Sequence, residues 1–316
     1  MRQNNIVEIN SIGIASAGPI DRNKGIILNP SNLPKWRNIN IVSDLSSALG
    51  IPAILEHDCT AAAIGENWIG AGKNSKNMVY ITISTGIGAG LILNGSLLEG
   101  CSSFVGEIGH TIIDTNGSKC SCGAYGCLET LSSGWVMPIR AKDLLYIFNT
   151  KDKKRLQQEY IKIIIHEIKA NKLKISENKE LLVPGFEDLY KDMMTGELAY
   201  KLRTDKNITS VDIVDLFYKD DNFAKFLIIE SIYYLSIALA NLIMLLNPEY
   251  IILGGGMINR LFNIYSAIFE FVFKDLIKEV PGKRTEIAEA YFEEKSVMIG
   301  AARNAMIKIP KNIKVK

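Results

Sequence analysis

The chain of 316 residues carries almost no net charge, because its 36 lysines and arginines nearly balance 34 aspartates and glutamates, for a formal charge of +2. The basic residues are spread along the sequence rather than grouped. This distribution argues against a nucleic-acid partner. The N-terminus lacks an apolar stretch followed by a small-residue cleavage site, so we expect no export signal and a cytoplasmic location.

Cysteine and long apolar runs are both scarce. There are five cysteines, an odd number, and without an export signal a disulfide framework is not expected. Residues 226–246 could pass for a membrane span, but they contain Glu230 and run into Asn247-Pro248. A span requires about twenty apolar residues with few or no charges. We therefore expect a buried helix of a large core and no membrane partner.

The rare residues that are present form one cluster. His110, Cys120, Cys122 and Cys127 fall within a stretch of eighteen residues that is broken by glycines. Thiolates and an imidazole in a set of four are the ligands that Zn²⁺ takes in a closed tetrahedral site. We predict a structural zinc site here. The alternative is three buried, reduced thiols and a core histidine.

Two carboxylates bracket this cluster. Glu107 precedes His110 by three residues, so both side chains point the same way on a helical turn, and Glu129 follows Cys127 after one leucine. If zinc takes one ring nitrogen of His110, the other is fixed as an N–H donor. Two carboxylates and one N–H suit a ligand rich in hydroxyls, such as a sugar. Surface carboxylates on a structural zinc loop are the alternative.

Asp58 follows a predicted strand over residues 51–55 and precedes a predicted helix over residues 59–68. In α/β folds the carboxyl end of a strand presents side chains to a cleft. Asp58 is therefore a candidate for catalysis, and its alternative role is that of a helix N-cap.

Two glycine-rich turns are candidates for anion or nucleotide binding. Residues 78–84 form a predicted strand that bends through residues 85–90 and returns over residues 91–93 as a hairpin. Glycines at such a bend let backbone N–H groups face an anion, although an ordinary hairpin fits as well. A second strand, residues 250–253, enters Gly254-Gly255-Gly256, which suits a close approach to a flat ligand or phosphate, or a tight strand-to-helix corner.

The length of the chain allows two domains, and the glycine- and asparagine-rich residues 70–77 are the predicted joint. We predict a small N-terminal domain from residues 1–77 plus about 297–316, and a large domain from residues 78–296. The large domain contains the cysteine loop, residues 106–129. It also contains a lysine-rich, solvent-facing helical insertion over about residues 141–207. A short helix over residues 43–49, capped by Ser43, is predicted within the small domain.

Taken in order, these motifs resemble the ROK family of sugar kinases and sugar-responsive regulators. The resemblance covers most of the chain outside the insertion. Its matching stretches are residues 16–21, 32–34 with Trp36, 56–61, 82–90, 106–110, 120–129, 247–248 and 253–256. The cysteine loop with the preceding Gly-Glu-Ile-Gly-His is the most specific of these motifs.

The resemblance implies an α/β fold of the actin-like ATPase (ribonuclease H-like) type, with two domains and a cleft between them. It implies that Asp58 is the catalytic base, and that the sugar is bound by Gly18, Asn32, His57, Asp58, Glu107, His110 and Glu129. Thr85 and Gly86 would meet the phosphates of ATP, which binds with Mg²⁺, and Gly254 and Gly255 would lie near the adenosine. Zinc would be held by His110, Cys120, Cys122 and Cys127. A homodimer or homotetramer is expected.

The sequence departs from the family pattern in two places. His57 and Thr60 stand where the family's kinases usually have asparagine; His57 can still donate a hydrogen bond to a sugar, and its bulkier ring can alter sugar choice or rate. The chain also lacks the Asp-x-Gly-Gly-Thr phosphate loop that normally opens the first domain, together with an acidic residue expected to help hold Mg²⁺. We therefore expect the small domain to be incomplete at its start. Either the true start lies upstream of Met1, which we favour, or the protein is shortened and its chemistry impaired.

These observations predict an ATP-dependent hexose kinase, most simply one that converts glucose to glucose 6-phosphate. The alternatives are a non-catalytic sugar-binding regulator, a degenerate kinase that binds sugar without phosphorylating it, and a kinase of N-acetylmannosamine or N-acetylglucosamine.

Overall fold

The computed structural model describes residues 9–30, 33–101, 104–164, 173–176, 179–181, 184–205, 207–277 and 285–310. Within them the strands are β1 (Ile12–Ser16), β2 (Ile20–Asp21), β3 (Ile26–Ile27), β4 (Ala53–His57), β5 (Met78–Ile83), β6 (Ile87–Leu93), β7 (Ser96–Leu97), β8 (Leu173–Ser176), β9 (Lys179–Leu181), β10 (Tyr250–Gly254) and β11 (Glu286–Glu289). The helices are α1 (Ile41–Leu49), α2 (Asp58–Ile69), α3 (Glu129–Ser132), α4 (Met137–Asn149), α5 (Lys153–Ile164), α6 (Phe186–Thr195), α7 (Glu197–Thr204), α8 (Ser210–Tyr218), α9 (Asn222–Leu246), α10 (Ile258–Leu276) and α11 (Lys295–Lys308), with a 3-10 turn at Ile108–His110.

The central sheet has five strands in the order β11-β10-β5-β6-β7, with β10 parallel to β5 and β11, and β6 antiparallel to β5 and β7. β5 is apolar except for Thr82, and both of its faces are covered. Val79, Ile81 and Ile83 point into a core with the helices of the C-terminal half, whereas Met78 and Tyr80 face Ala62 and Ala63 of α2. Alternating side chains thus serve opposite faces, as in any strand that is covered on both sides.

A second, parallel sheet pairs β1 with β4 and brings Ser16 opposite His57. In the part of the chain that the structure describes, this sheet has two strands. α2 and α11 pack against it and also against the five-stranded sheet. The predicted domain boundary at residue 77 therefore stays a prediction, since packing continues across it.

α2 and α11 cross at very short distance. A Cβ atom on Gly300 would overlap the carbonyl oxygen of Ala61, and one on Gly65 would lie 2.5 Å from the carbonyl oxygen of Ser296. Glycine at these two positions lets the two backbones touch. The buried carboxylate of Glu66 in α2 accepts hydrogen bonds from the Ser296 hydroxyl in α11 and from the N–H groups of Tyr291 and Phe292 just before that helix.

α9 is the stretch that sequence alone could have assigned to a membrane. It is long and apolar enough to cross one, but 72% of its most apolar window is buried inside the protein. The prediction of a buried core helix is confirmed.

The lysine-rich segment differs from its prediction in two respects. It contains the four helices α4 to α7, as expected, but also the antiparallel strand pair β8–β9. Its helices are not wholly solvent-facing, because each contributes apolar residues to the main core, among them Leu144, Leu156, Leu189 and Leu198. The charged residues occupy the outer faces of amphipathic helices, and those charges concealed the inner faces in the overall composition.

The ends of two early helices also differ from prediction. α1 begins at Ile41 rather than after Ser43, because Asp44 N–H already bonds to the carbonyl of Asn40. α2 begins with Asp58 itself, and its N-cap residue is His57. The alternative role of Asp58 as the N-cap is therefore wrong.

Candidate active site

Asp58 stands at the junction of β4 and α2, with no loop between strand and helix. Its Oδ1 accepts hydrogen bonds from Cys59 N–H, 2.7 Å away, and lies 3.2 Å from Nδ1 of His57. The carboxylate is 37% exposed, so a ligand can reach it. A negative charge is favoured at this place, since the N-terminus of a helix carries partial positive charge.

Strand β6 brings Asp58 close to the segment that contains Glu107. A Cβ atom on Gly88 would lie 2.7 Å from Sγ of Cys59, and one on Gly109 would overlap the carbonyl oxygen of Ile87. The start of α2 therefore contacts β6 at Gly88, and the 106–110 segment contacts it at Ile87. Burial raises the pKa of the Cys59 thiol well above its ordinary value, and the charges of Asp58 and Glu107 raise it further. Cys59 is thus a neutral, buried side chain with both carboxylates near it.

The cysteine loop brings its four predicted ligands together. Sγ of Cys122 lies 3.6 Å from Sγ of Cys127, and Nδ1 of His110 lies 3.5 Å from Sγ of Cys120. All four ligand atoms fall within 4.8 Å of one another. A tetrahedral zinc ion with ordinary bond lengths separates two sulfurs by about 3.8 Å, and a sulfur from a nitrogen by about 3.6 Å. The residues therefore fit zinc, and they could hold it as a structural ion.

The backbone of this loop is shaped by a turn at its glycines. Cys120 N–H bonds to the carbonyl of Ala124, and Gly126 has φ of +69°, a left-handed conformation that favours glycine. Burial raises the pKa of the Cys127 thiol to about 12, with the neighbouring thiols adding to the effect. A hydrogen bond from the N–H of Ala124 lowers the pKa of Cys122.

His110 links the cysteine loop to a carboxylate. Nδ1 faces Cys120, whereas Nε2 lies 4.0 Å from Oε2 of Glu107. Glu107 is the N-cap residue of the 3-10 turn and His110 is its last residue, which places them on the same side, as the spacing predicted. Both side chains are more than one-third exposed. One nitrogen is thus directed to the cysteines, and the other to the exposed side of the loop.

Glu129 lies at the glycine-rich bend between β5 and β6. Its Oε2 accepts a hydrogen bond from Ile87 N–H at 3.2 Å, and a Cβ atom on Gly86 would lie 2.6 Å from the same oxygen. The bend itself is limited to Ser84, Thr85 and Gly86, because β6 begins at Ile87. The prediction had extended the bend through Gly90. Gly88 and Gly90 instead lie within β6, where the start of α2 leaves no room for a side chain: a Cβ atom on Gly90 would lie 2.5 Å from the carbonyl oxygen of Cys59.

Of the predicted nucleotide residues, Thr85 and Gly86 belong to this bend and Gly255 borders it. Gly255, with φ of +98°, turns the chain from β10 towards α10, and a Cβ atom there would lie 2.6 Å from the carbonyl oxygen of Ile83. Trp135 N–H donates to the carbonyl oxygen of Thr85. Gly254 lies at the end of β10, beside Tyr80. The triglycine turn is therefore a tight strand-to-helix corner that also borders the bend.

The sequence analysis missed a buried group behind Asp58. Glu56, 1% exposed, accepts hydrogen bonds from Arg22 Nη1 at 2.8 Å, from Asn304 Nδ2 at 3.1 Å and from the N–H of His57 at 2.9 Å. It joins β4, α11 and the chain after β2. The sequence did contain a signal for this group, namely an acidic residue inside an otherwise apolar predicted strand. A buried charge requires partners, so such a residue indicates a buried polar contact.

The structure thus gathers most of the predicted site residues around β6 and the start of α2. Gly18 belongs to this group, since a Cβ atom there would lie 3.0 Å from Nε2 of His57. Asn32 lies outside the described residues.

Comparison with known proteins matches residues 1–307 to the ROK family. The xylose repressor of Bacillus subtilis is 41% identical over 152 residues, which cover 48% of this chain and 37% of the repressor. The glucokinase of Halalkalibacterium halodurans is 32% identical over 247 residues, which cover 78% of this chain and 61% of the glucokinase. The chain spans less than two-thirds of the length of either relative.

Among solved structures, the crystal structure of a ROK hexokinase from Thermus thermophilus superimposes with a TM-score of 0.69. The sequences are 23% identical, and the match covers 95% of this chain and 80% of the hexokinase. The fold is therefore the predicted two-domain α/β fold of the actin-like ATPases. Because the family match extends over nearly the whole sequence, this chain belongs to the ROK family.

Proposed function

We propose that this protein transfers the γ-phosphoryl group of ATP to a hexose, most simply to the 6-hydroxyl of glucose. The observation that carries the proposal is the exposed carboxylate of Asp58, which lies beside the segment that bears Glu107 and His110. The glycine bend with Glu129 leads into β6, the strand that the start of α2 contacts. A proton acceptor, sugar-binding groups and backbone donors for phosphate are thus adjacent.

In the proposed reaction, Asp58 accepts the proton of the sugar hydroxyl. The hydroxyl oxygen forms a bond to the γ-phosphorus, and the bond from that phosphorus to ADP breaks. A carboxylate is a weak base for a hydroxyl, but the proton leaves late in a loose phosphoryl-transfer transition state, so correct position matters most. Mg²⁺ bound with ATP would neutralise charge on the phosphates.

The remaining residues bind and orient. We assign hydroxyl groups of the sugar to Glu107, Glu129 and the Nε2–H of His110, with Gly18, Asn32 and His57 completing the sugar site. Backbone groups of Thr85 and Gly86 would meet the phosphates, and Gly254 and Gly255 the adenosine.

Zinc would be held by His110, Cys120, Cys122 and Cys127. Its contribution would be structural, because four protein ligands leave no open position for a substrate. If zinc were bound at Nδ1 of His110, Nε2 would remain an N–H donor, which suits a sugar hydroxyl.

A coupled assay with ATP, Mg²⁺ and a panel of glucose, mannose, N-acetylmannosamine, N-acetylglucosamine and xylose tests the proposal. We expect turnover on glucose. Asp58→Asn should lower kcat by about 10²–10⁴-fold, the usual contribution of a general base, while sugar affinity measured by calorimetry stays within about threefold. Asp44→Asn, at an exposed carboxylate of α1, is the matched control and should keep full activity. An active Asp58→Asn protein would remove Asp58 from the role of base.

A sugar-responsive regulator without catalysis is the second candidate. The similarity to the xylose repressor supports it. The repressor has a higher sequence identity to this chain than the glucokinase has, although its match covers fewer residues. On this alternative, calorimetry without ATP would show sugar binding, and no sugar in the panel would be phosphorylated. Preference for xylose over glucose in the binding experiment would favour it further.

A further inference from the structure

Two buried serines connect the short helix α3 to the long core helix α9. The hydroxyl of Ser132 donates to the carbonyl oxygen of Ser231 at 2.8 Å, and the hydroxyl of Ser231 donates to the carbonyl oxygen of Ser132 at 3.1 Å. Both residues are at most 1% exposed. A buried hydroxyl without a partner is costly, so the two bonds of this reciprocal pair favour one fixed arrangement. The pair therefore fastens the end of α3 to the core.

The other end of α3 is Glu129, one of the residues assigned to the sugar. Its Oε2 accepts a hydrogen bond from Ile87 N–H at 3.2 Å, and its carbonyl oxygen accepts one from the Ser133 hydroxyl at 2.6 Å. Because α3 is a single turn of four residues, Glu129 and Ser132 belong to one short, rigid unit. A displacement of the turn at Ser132 therefore also moves the carboxylate of Glu129.

The cysteine loop holds the same turn from its first residue. Only Leu128, which is fully buried, separates Cys127 from α3, and the hydroxyl of Thr130 donates to the carbonyl oxygen of Cys127 at 2.8 Å. The serine pair lies at the last residue of the turn and uses none of the cysteines. The turn that carries Glu129 is thus held at both ends, by the loop on one side and by α9 on the other.

We propose that Ser132 and Ser231 are positioning residues, which hold the Glu129 carboxylate in the sugar site through α3. The proposal rests on the sugar-binding role that the proposed function gives to Glu129. The pair acts on a group that binds the sugar rather than on Asp58. Its loss therefore weakens binding of the ground state and of the reacting state alike, which raises KM and leaves kcat unchanged.

Alanine substitutions remove each hydroxyl with little change in bulk. We expect Ser132→Ala and Ser231→Ala each to weaken sugar binding, measured by calorimetry without ATP, by about 3–10-fold, the factor that corresponds to one ordinary hydrogen bond. The KM for the sugar should rise by the same factor, while kcat stays within about twofold. Because both bonds join the same two segments, the double variant should lose less than the product of the two single losses.

Ser236→Ala is the matched control. Ser236 is also buried in α9, but its hydroxyl donates to the carbonyl oxygen of Ile232 within the same helix. Its loss should lower thermal stability and leave sugar affinity unchanged. A Ser132→Ala protein with unchanged KM and affinity would overturn the proposal, as would an equal loss of affinity in Ser236→Ala. Zinc content should be the same in all of these variants, and its loss in the serine variants would assign the effect to the cysteine loop instead.

A second readout needs neither sugar nor ATP. Exchange of the Ile87 amide with deuterated water, followed by NMR, reports the place of Glu129, because Oε2 of Glu129 accepts the hydrogen bond from this N–H. Glu129→Ala gives the exchange rate without that bond. We expect exchange to be faster by about 3–10-fold in Ser132→Ala and Ser231→Ala, and unchanged in Ser236→Ala.

Unchanged exchange at Ile87 in the two serine variants would contradict the positioning role. If no hexose is bound or phosphorylated, the kinase function fails, while exchange at Ile87 still tests whether the serine pair holds Glu129.

Discussion

At the scale of single residues, Gly18 is the position on which the place of the His57 ring depends most directly. A Cβ atom there would lie 3.0 Å from Nε2 and 3.1 Å from Cδ2, so the ring must move by some tenths of an ångström. We expect Gly18→Ala to lower kcat/KM for the sugar by about tenfold, because the displaced His57 ring belongs to the proposed sugar site and small misplacements are costly. In a His57→Ala background the same substitution should have no further effect on kcat/KM. Independent, additive losses in this double-mutant cycle would show that Gly18 acts elsewhere.

Cys122 is the exposed member of the candidate zinc ligands. Cys122→Ser should release the metal, measured as moles of zinc per mole of protein, because serine is a much poorer ligand than a thiolate. Sugar affinity should fall by about tenfold or more, since His110 and the start of α3 lose their anchor. Cys101→Ser, also at an exposed cysteine but outside the cluster, is the matched control and should retain zinc. A zinc-replete Cys122→Ser protein with unchanged affinity would refute the structural role.

Residue-level prediction succeeded where the informative residues are close in sequence. The four candidate zinc ligands lie between residues 110 and 127, and the structure brings them together. The pairing of His57 with Asp58 is just as local, but sequence alone does not reveal which ring nitrogen faces the carboxylate. The role of Gly88 and Gly90 was missed because the start of α2, which excludes side chains there, lies about thirty residues away in the chain.

At the scale of secondary-structure elements, the crossing of α2 with α11 is the least tolerant contact. Gly300→Ala places a methyl group on the carbonyl oxygen of Ala61, so the helices must separate. We expect the free energy of unfolding to fall by about 1–3 kcal/mol or more, as in other overpacked cores. Chemical denaturation measures this change, and we expect the m-value to stay unchanged. Ala302→Ser, at an exposed position of the same helix, should change the free energy of unfolding by less than about 0.5 kcal/mol. Equal stabilities for both variants would contradict the close crossing.

The lysine-rich segment shows the limit of prediction at this scale. Its helices were expected, and their charged faces were visible in the sequence. The pair β8–β9 was missed, because Leu173–Ser176 and Lys179–Leu181 are short and mix apolar with charged residues. Strands this short can be identified only from the strand that they pair with, and sequence alone does not show that pairing.

At the scale of the whole molecule, ion pairs of Glu99 connect the end of the five-stranded sheet with α11 and with the chain after β2. Glu99, after β7, accepts a hydrogen bond from Lys308 at the end of α11 and lies 3.7 Å from Arg22. The bond from Lys308 lowers the pKa of Glu99, although its carboxylate is 47% exposed and solvent weakens the effect.

A carboxyl group with a lowered folded-state pKa stabilises the protein above its ordinary pKa and loses that contribution as the pH falls. We therefore expect Glu99→Gln to reduce stability at pH 7 by about 0.5 kcal/mol or less, as is usual for an exposed pair. The difference should vanish between about pH 5 and pH 3. Glu294→Gln, at an exposed glutamate before α11, is the control. A difference that grows towards low pH would contradict the assignment.

The overall architecture was predictable because the motifs that define it occur in order. The prediction that failed at this scale is the description of the charged segment as solvent-facing, since its inner residues are part of the main core. How α2 and α11 lie between two sheets could not be derived from the sequence, because it depends on contacts between residues more than two hundred positions apart.

The glycines of β6 have a consequence for any attempt to redesign this protein. Because Gly88 has no side chain, the thickness of one bare strand sets the gap between the start of α2, with Asp58, and the segment that bears Glu107. In a saturation library selected for the proposed kinase activity, position 88 should therefore be nearly invariant. Changes in substrate range would have to be sought in the surrounding loops. A side chain at position 88 would widen the gap and slow the reaction of every substrate to a similar extent.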